Sequence, residues 1–81
     1  MKTEYLSYDE QRLIVEDLYN ITDSIEACRR LEKEYGIIIA PGRSVELNDF
    51  ARKLDKTKFF NWDIEKAITK HSGHTISLRN L

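Results

Sequence analysis

The marks of disulfide-rich, membrane-spanning and nucleotide-binding proteins are missing from this 81-residue chain. One cysteine, Cys28, excludes an internal disulfide framework and predicts a reducing, cytoplasmic setting. The longest aliphatic run, residues 37–40, is far shorter than the roughly 20 residues of a membrane span, so we expect no membrane partner. The first residues hold no apolar segment, which predicts that there is no signal peptide. Three scattered glycines exclude a glycine-rich phosphate loop.

The composition that is present is typical of a globular protein, with 41% hydrophobic and 33% charged residues. The length predicts a single domain over residues 1–81. The net charge of −1 is unevenly spread, since residues 1–26 hold two basic and seven acidic groups and residues 27–81 hold eleven basic and seven acidic groups. This asymmetry favours either an anionic partner for the second part or a surface on which opposite charges are interspersed.

Capping residues predict where the first two helices begin and end. Ser7 followed by Glu10 is a capping box, in which each side chain accepts a hydrogen bond from the backbone of the other residue. The helix that follows should end near Asn20. Asp23 is a second cap, and Gly36 is suited to the left-handed conformation that closes a helix.

The second half of the chain predicts two more helices and a small ribbon. Ser44 is the expected cap of a third helix, and Asn61 is the expected cap of a fourth that closes at Gly73. The β-branched run 37–40 and the alternating residues 75–78 predict a two-stranded ribbon, unless the latter is only a tail. The expected fold is therefore mainly α, a compact four-helix domain.

The predicted core follows from apolar residues that recur every three or four positions on each helix. Two isoleucines of the extended run 37–40, which precedes the Pro41–Gly42 turn, are also included in the predicted core. The predicted core residues are Leu13, Ile14, Leu18, Ile25, Cys28, Leu31, Tyr35, Ile37, Ile39, Leu47, Phe50, Leu54, Ile64 and Ile68.

Residues 24–54 have the pattern of a helix, a connection and a second capped helix. Gly36 follows the first helix, Ile37 supplies an apolar turn residue, and Ser44 precedes the second helix. In these features the segment resembles helix–turn–helix DNA-binding domains, which implies a transcription regulator whose second helix enters the major groove. Many such proteins are two-fold dimers, so a homodimer is left open. The connection is longer than the usual turn, and Glu46 and Asp49 would repel phosphates near the start of the second helix.

The cations in this segment predict how DNA would be held. Basic side chains contact phosphates without reading the sequence, whereas asparagine can pair with the edge of an adenine. The candidate nucleic-acid-binding residues are Arg43, Asn48, Arg52, Lys53 and Lys56, with Arg29 and Arg30 on the preceding helix.

Three aromatic residues in four positions predict a different kind of partner. Phe59, Phe60 and Trp62 precede or open the fourth helix, beside Lys58. Exposed aromatic side chains near cations are typical of protein interfaces. This pattern favours a small protein-binding modulator or inhibitor of the phage or plasmid type. In the alternative, Phe59 and Phe60 fill the core and Trp62 lies along its edge.

Metal binding and catalysis receive little support from the residue pattern. His71 and His74 are three positions apart, but Gly73 lies between them and should end the helix. Cysteine and histidine can act together as a nucleophile and a base, and the chain has Cys28 and His71. However, Cys28 falls on an apolar stripe, where cysteine acts as a small hydrophobe. We therefore expect a non-enzymatic protein with no metal and no cofactor.

Overall fold

The computed structural model describes residues 4–55 and 59–78, with the side chain of Asp55 left aside. Within this part of the chain there are four helices and one small antiparallel sheet. In chain order the elements are β1 (Tyr5–Leu6), α1 (Tyr8–Tyr19), α2 (Ser24–Tyr35), β2 (Val45–Glu46), α3 (Leu47–Asp55) and α4 (Asn61–Ser72). The predicted mainly α, four-helix fold is confirmed, and its radius of gyration is 11.5 Å.

Helices α1 and α2 begin where their capping residues predict. The Ser7 hydroxyl accepts the Glu10 N–H at 3.2 Å, and the Glu10 carboxylate accepts the Ser7 N–H at 2.8 Å. Asp23 accepts the Ile25 N–H at 3.1 Å and so caps α2. Gly36 ends α2 with φ at 70°, a conformation that glycine adopts at little cost. Local chemistry is therefore sufficient to define these two helices.

Helix α3 begins later than predicted, and the prediction that Ser44 caps it is wrong. The two residues after Ser44 form β2, in which Val45 pairs with Leu6 of β1. The Leu47 N–H donates to the Glu4 carbonyl oxygen at 2.9 Å, which extends this pairing to the first residue of the helix. Pairing with β1 therefore overrides the local capping preference, and the β-branched side chain of Val45 suits a strand.

The predicted ribbon between residues 37–40 and 75–78 is wrong, because neither segment forms a strand. Leu78 is instead buried against the core, and its N–H donates to a carboxylate oxygen of Glu65 at 2.7 Å. The sheet lies between β1 and β2, where β1 is a two-residue strand. A strand of this length has too few residues to show an alternating pattern.

Helix α4 begins with a cap that differs from the prediction. Phe60, not Asn61, is the N-cap residue, and its side chain makes no capping hydrogen bond. The ring of Phe59 packs against Tyr19 of α1, which holds the chain at the entry to the helix. Gly73 closes α4 with φ at 77°, as predicted.

The core lies where α1 packs against α2 and α4, and where α3 packs against α4 and β2. Most predicted core residues are buried or half-buried, but two predictions are wrong. Ile25 is 66% exposed and Leu13 is 37% exposed, although both lie on apolar stripes. The stripe on each of these helices is wider than the area that the neighbouring helices cover. Leu6 and Leu78, from the segments outside the helices, are buried instead.

One buried polar side chain, Gln11 of α1, connects three parts of the fold. Its Nε2 lies 3.1 Å from the carbonyl oxygens of Leu6 and Arg43 and 3.2 Å from that of Ser7, so its two N–H groups are shared among three acceptors. These bonds join β1, the start of α1 and the loop that leads to β2. Gln11 therefore helps to hold the two strands next to each other. In the part of the chain that the structure describes, no helix is long and apolar enough to cross a membrane.

Candidate protein-binding surface

The three aromatic residues before and at the start of α4 have different environments. Phe59 is half-buried, and its ring meets the Tyr19 ring edge-on with centroids 5.1 Å apart. Phe60 and Trp62 are 67% and 63% exposed, and their rings stack with centroids 6.2 Å apart and planes 24° apart. Phe60 therefore does not fill the core, whereas Phe59 packs against it, so the alternative is wrong for Phe60 only. We call Phe60 and Trp62 the aromatic pair.

Helical geometry explains why Trp62 points away from the protein. Ile64 and Ile68 are buried on the inner side of α4. Trp62 precedes Ile64 by two positions, or about 200° around a helix axis, so it lies on the opposite side. Phe60 lies one turn from the inner residues but is placed before the helix, where it stacks on Trp62.

The outward side of α4 is positively charged as well as aromatic. Its exposed residues are Asn61, Trp62, Lys66, Thr69 and Lys70. They include two cations and no carboxylate. The two acids of the helix, Asp63 and Glu65, are half-buried, and the Glu65 carboxylate accepts a hydrogen bond from the Leu78 N–H. We call Trp62, Lys66, Thr69 and Lys70 the α4 face.

A groove of about 330 Å³ runs beside this face, between α1 and α4. Its apolar floor and charged rim are formed by Leu18, Phe59 and Ala67 and by Asp17, Asp63, Lys66 and Lys70. At the Asp17 end, its Oδ2 lies 3.0 Å from His71 Nε2 and 3.9 Å from Lys70 Nζ. A partner that covers the aromatic pair can extend into this groove.

The candidate DNA-contacting cations lie in two separate places. Arg43 and Lys53 line a groove of about 200 Å³ next to β2 and α3. Arg29 lines another cleft, next to Cys28 and Ile39. The guanidinium group of Arg30 lies over the Tyr19 ring, 5.8 Å from its centroid. These cations therefore do not share one groove.

Carboxylates accompany the cations of α3. Glu46 and Asp49 line the same groove as Arg43 and Lys53. Arg52 Nη1 lies 3.6 Å from an Asp49 carboxylate oxygen, and Asn48 is half-buried. Lys56 and Lys58 lie outside the described residues. Helix α2 packs chiefly against α1, and α3 packs chiefly against α4 and β2.

The residues considered for catalysis or metal binding have structural neighbours. Burial raises the pKa of the Cys28 thiol, and the nearby Glu16 carboxylate adds to the rise, which disfavours the reactive thiolate. His71 contacts Asp17, and His74 Nδ1 lies 3.5 Å from a Glu4 carboxylate oxygen. Within residues 4–55 and 59–78, no three side chains of the ligand-forming types come together as a metal site.

Sequence reasoning identified the aromatic pair but missed Lys66 and Lys70. The spacing that reveals them is visible in the sequence, since they follow Trp62 at intervals of four and are offset from Ile64 and Ile68. The chain matches no protein-family model, no curated protein and no solved structure. Its function is therefore inferred from the geometry of its own surfaces.

Proposed function

We propose that this chain is a small non-enzymatic protein-binding module that modulates or inhibits its partner through the aromatic pair. The observation that carries the proposal is the pair itself, two stacked rings that remain mostly exposed at the start of α4. Tryptophan and other large aromatic residues are frequent among the few side chains that dominate binding energy in protein interfaces. The single cysteine supports a cytoplasmic setting for this interaction.

The N-cap of α4 provides a second line of support. Serine, aspartate and asparagine stabilise this position by about 1 kcal/mol relative to residues that cannot accept the N–H bond. Ser7 and Asp23 follow this preference in α1 and α2, whereas Phe60 makes no such bond and exposes its ring. Phe60 lowers the stability of the helix relative to a capping residue and leaves a large apolar ring in water. Its presence at this position is better explained by a role in binding than by a role in folding.

The area of the aromatic pair is large enough to anchor a partner. Phenylalanine and tryptophan side chains each present about 150 to 250 Å². Covering the exposed part of both rings would release roughly 5 to 8 kcal/mol of gross transfer free energy at about 25 cal/mol per Å². Part of this would be offset by the entropic cost of association, so neighbouring contacts must add to the affinity.

Affinity capture from the cells that express the chain tests this proposal. We expect a partner protein that is retained by the unchanged chain and by Lys33→Ala, a change of an exposed side chain on α2. Trp62→Ala should lose it, because the ring supplies the central contact. Equal capture of the same proteins by Trp62→Ala would contradict the proposal.

DNA binding is a second candidate, favoured by one observation: Arg29, Arg30, Arg43, Arg52 and Lys53 are all exposed. In this role Arg43, Arg52 and Lys53 would contact phosphates and Asn48 would approach a base edge. Counterion release would make the affinity fall steeply with salt, whereas an aromatic protein contact depends weakly on salt. Mobility-shift titrations with duplex DNA at two salt concentrations test this candidate, and absence of binding at low salt would exclude it.

A further inference from the structure

The charge of the α4 face indicates the chemistry of the partner. We propose that the segment that binds the aromatic pair is an acidic peptide segment of another protein, with an apolar side chain against Trp62 and carboxylates against Lys66 and Lys70. This inference rests on the proposed protein-binding function. It adds to that function a specific partner class, defined by the two cations and the lack of an exposed carboxylate on α4.

The spacing of the face matches a regular peptide. Lys66 lies one turn from Trp62, or about 6 Å along the helix axis, and Lys70 lies about 12 Å from it. Carboxylates four positions apart on a partner helix, or two apart on a strand, have about the same spacing. A short acidic segment can therefore meet both lysines while its apolar side chain covers the tryptophan ring.

Lys66 and Lys70 differ in how available their charges are to a carboxylate of the partner. Within the part of the chain that the structure describes, Lys66 makes no ion pair, so its charge is available. Lys70 is 3.9 Å from the half-exposed Asp17, a distance at which its ammonium group retains attraction for a second carboxylate. We therefore expect Lys66 to contribute more than Lys70.

Two other occupants fit the face less well. A nucleic-acid strand would bring phosphates towards Asp17 and Asp63 at the rim of the adjacent groove, where like charges repel. A second copy of the chain, bound through the same face, would place lysines of both copies near the symmetry axis. An acidic peptide meets the same repulsion from Asp17 beside Lys70. Unlike a nucleic-acid strand, it need not carry a charge at every repeat, so its carboxylates can lie mainly at Lys66 with an uncharged residue near Asp17.

The test is a selection of random 16-residue displayed peptides against the full chain. We expect the selected peptides to combine Asp and Glu with Leu, Phe or Trp. The double variant Lys66→Glu/Lys70→Glu should lose the acidic bias and select basic peptides. The matched control Arg29→Glu/Lys33→Glu, which changes the charge to the same extent at the same spacing on α2, should retain the acidic bias.

Fluorescence of Trp62, the only tryptophan, measures the affinity of a selected peptide directly. Because exposed ion pairs contribute modestly, the double lysine variant should bind about 3- to 20-fold more weakly. The control variant on α2 should change affinity by less than about twofold. All substituted residues are exposed, and circular dichroism checks that the variants remain folded.

The possible results separate this inference from the proposed function. Peptides that need Trp62 but carry no acidic bias would overturn the acidic partner and leave protein binding intact. Selection of the same peptides by Trp62→Ala, or enrichment of none, would overturn both. If a single-stranded oligothymidine quenches Trp62 at lower concentration than the peptides do, the face binds nucleic acid and the acidic peptide is overturned. If Trp62 fluorescence changes as the concentration of the chain alone is raised, the face binds a second copy and the acidic peptide is likewise overturned.

Discussion

At the residue scale, Gln11 has a role that the sequence does not reveal. It precedes the buried Ile14 and Val15 by three and four positions, which places it on the inner side of α1, but the spacing does not show what its amide group binds. Its burial depends on the loop that contains Arg43, which arrives from a distant part of the chain. Such a residue is recognised only when the fold brings its hydrogen-bond partners together.

Replacing Gln11 with methionine should lower the free energy of unfolding by about 1 to 3 kcal/mol. Methionine fills a similar volume but donates no hydrogen bond, so the buried carbonyl oxygen of Leu6 and the part-buried carbonyl oxygen of Arg43 lose their donor. Urea unfolding followed by circular dichroism measures the change. Glu34→Gln, an exposed change on α2, is the control and should shift stability by less than about 0.5 kcal/mol.

The thiol of Cys28 should react slowly in the folded protein. Its pKa is raised by burial, so at pH 8 a smaller fraction is thiolate than in the unfolded chain, and thiolate is the reacting form. We expect the rate with a disulfide reagent to be at least about threefold lower in buffer than in denaturant. Equal rates in the two conditions would show that the thiol is not protected by the fold.

At the element scale, the accuracy of the sequence predictions depends on whether a boundary is set locally. The ends of α1 and α2 follow from Ser7, Asp23 and Gly36, which act on backbone groups within a few residues. The predicted start of α3 is wrong because β2 pairs with β1, and the spacing of residues in the sequence carries no signal for that pairing. The aromatic pair was visible as a pattern, but the burial of Phe59 depends on packing against Tyr19 of α1.

Replacing Gly36 with alanine should destabilise the protein by about 1 kcal/mol. A Cβ at this position meets no atom within 4 Å, so the cost arises from the left-handed backbone rather than from a clash. Asparagine tolerates this conformation better, and Asn20 already adopts it at the end of α1. Gly36→Asn should therefore be less destabilising than Gly36→Ala in thermal unfolding, and the reverse order would contradict this explanation.

Replacing Phe60 with serine should separate stability from binding. Serine can accept an N–H bond at the start of α4, so the free energy of unfolding should rise by about 0.5 to 1 kcal/mol. Binding of the selected peptide should weaken because half of the aromatic pair is removed. Urea unfolding and Trp62 fluorescence measure the two effects. A less stable protein would show that Phe60 contributes to the fold, which would weaken the case for an interface.

At the scale of the whole molecule, the core includes residues outside the four helices. Leu6 lies in β1 and Leu78 lies beyond α4, and both are buried. The acidic first part of the chain also contacts the end of α4, since Asp17 is near His71 and Glu4 is near His74. Asp17 also lies 3.9 Å from Lys70, and this ion pair joins the acidic first part to the basic second part, so folding partly offsets the uneven charge of the sequence. This outcome depends on tertiary arrangement and not on the charge of either half.

Replacing Leu78 with alanine should cost about 2 to 4 kcal/mol, comparable with a core leucine in a helix. The matched control is Ile25→Ala, which removes an aliphatic side chain that lies on an apolar stripe but is exposed. It should change the free energy of unfolding by less than about 0.5 kcal/mol. Urea unfolding compares the two variants. Similar losses in both would show that the stripe, rather than burial, determines the contribution.

The sheet also constrains the order in which the chain is completed during synthesis. Leu6 pairs with Val45, so β1 cannot pair with β2 until about 40 further residues have been translated. Helices α1 and α2 depend on near neighbours and can form earlier, as soon as they leave the ribosome. Until β2 emerges, the nascent chain presents the side chain of Leu6 and an unpaired strand edge to other molecules in the cell.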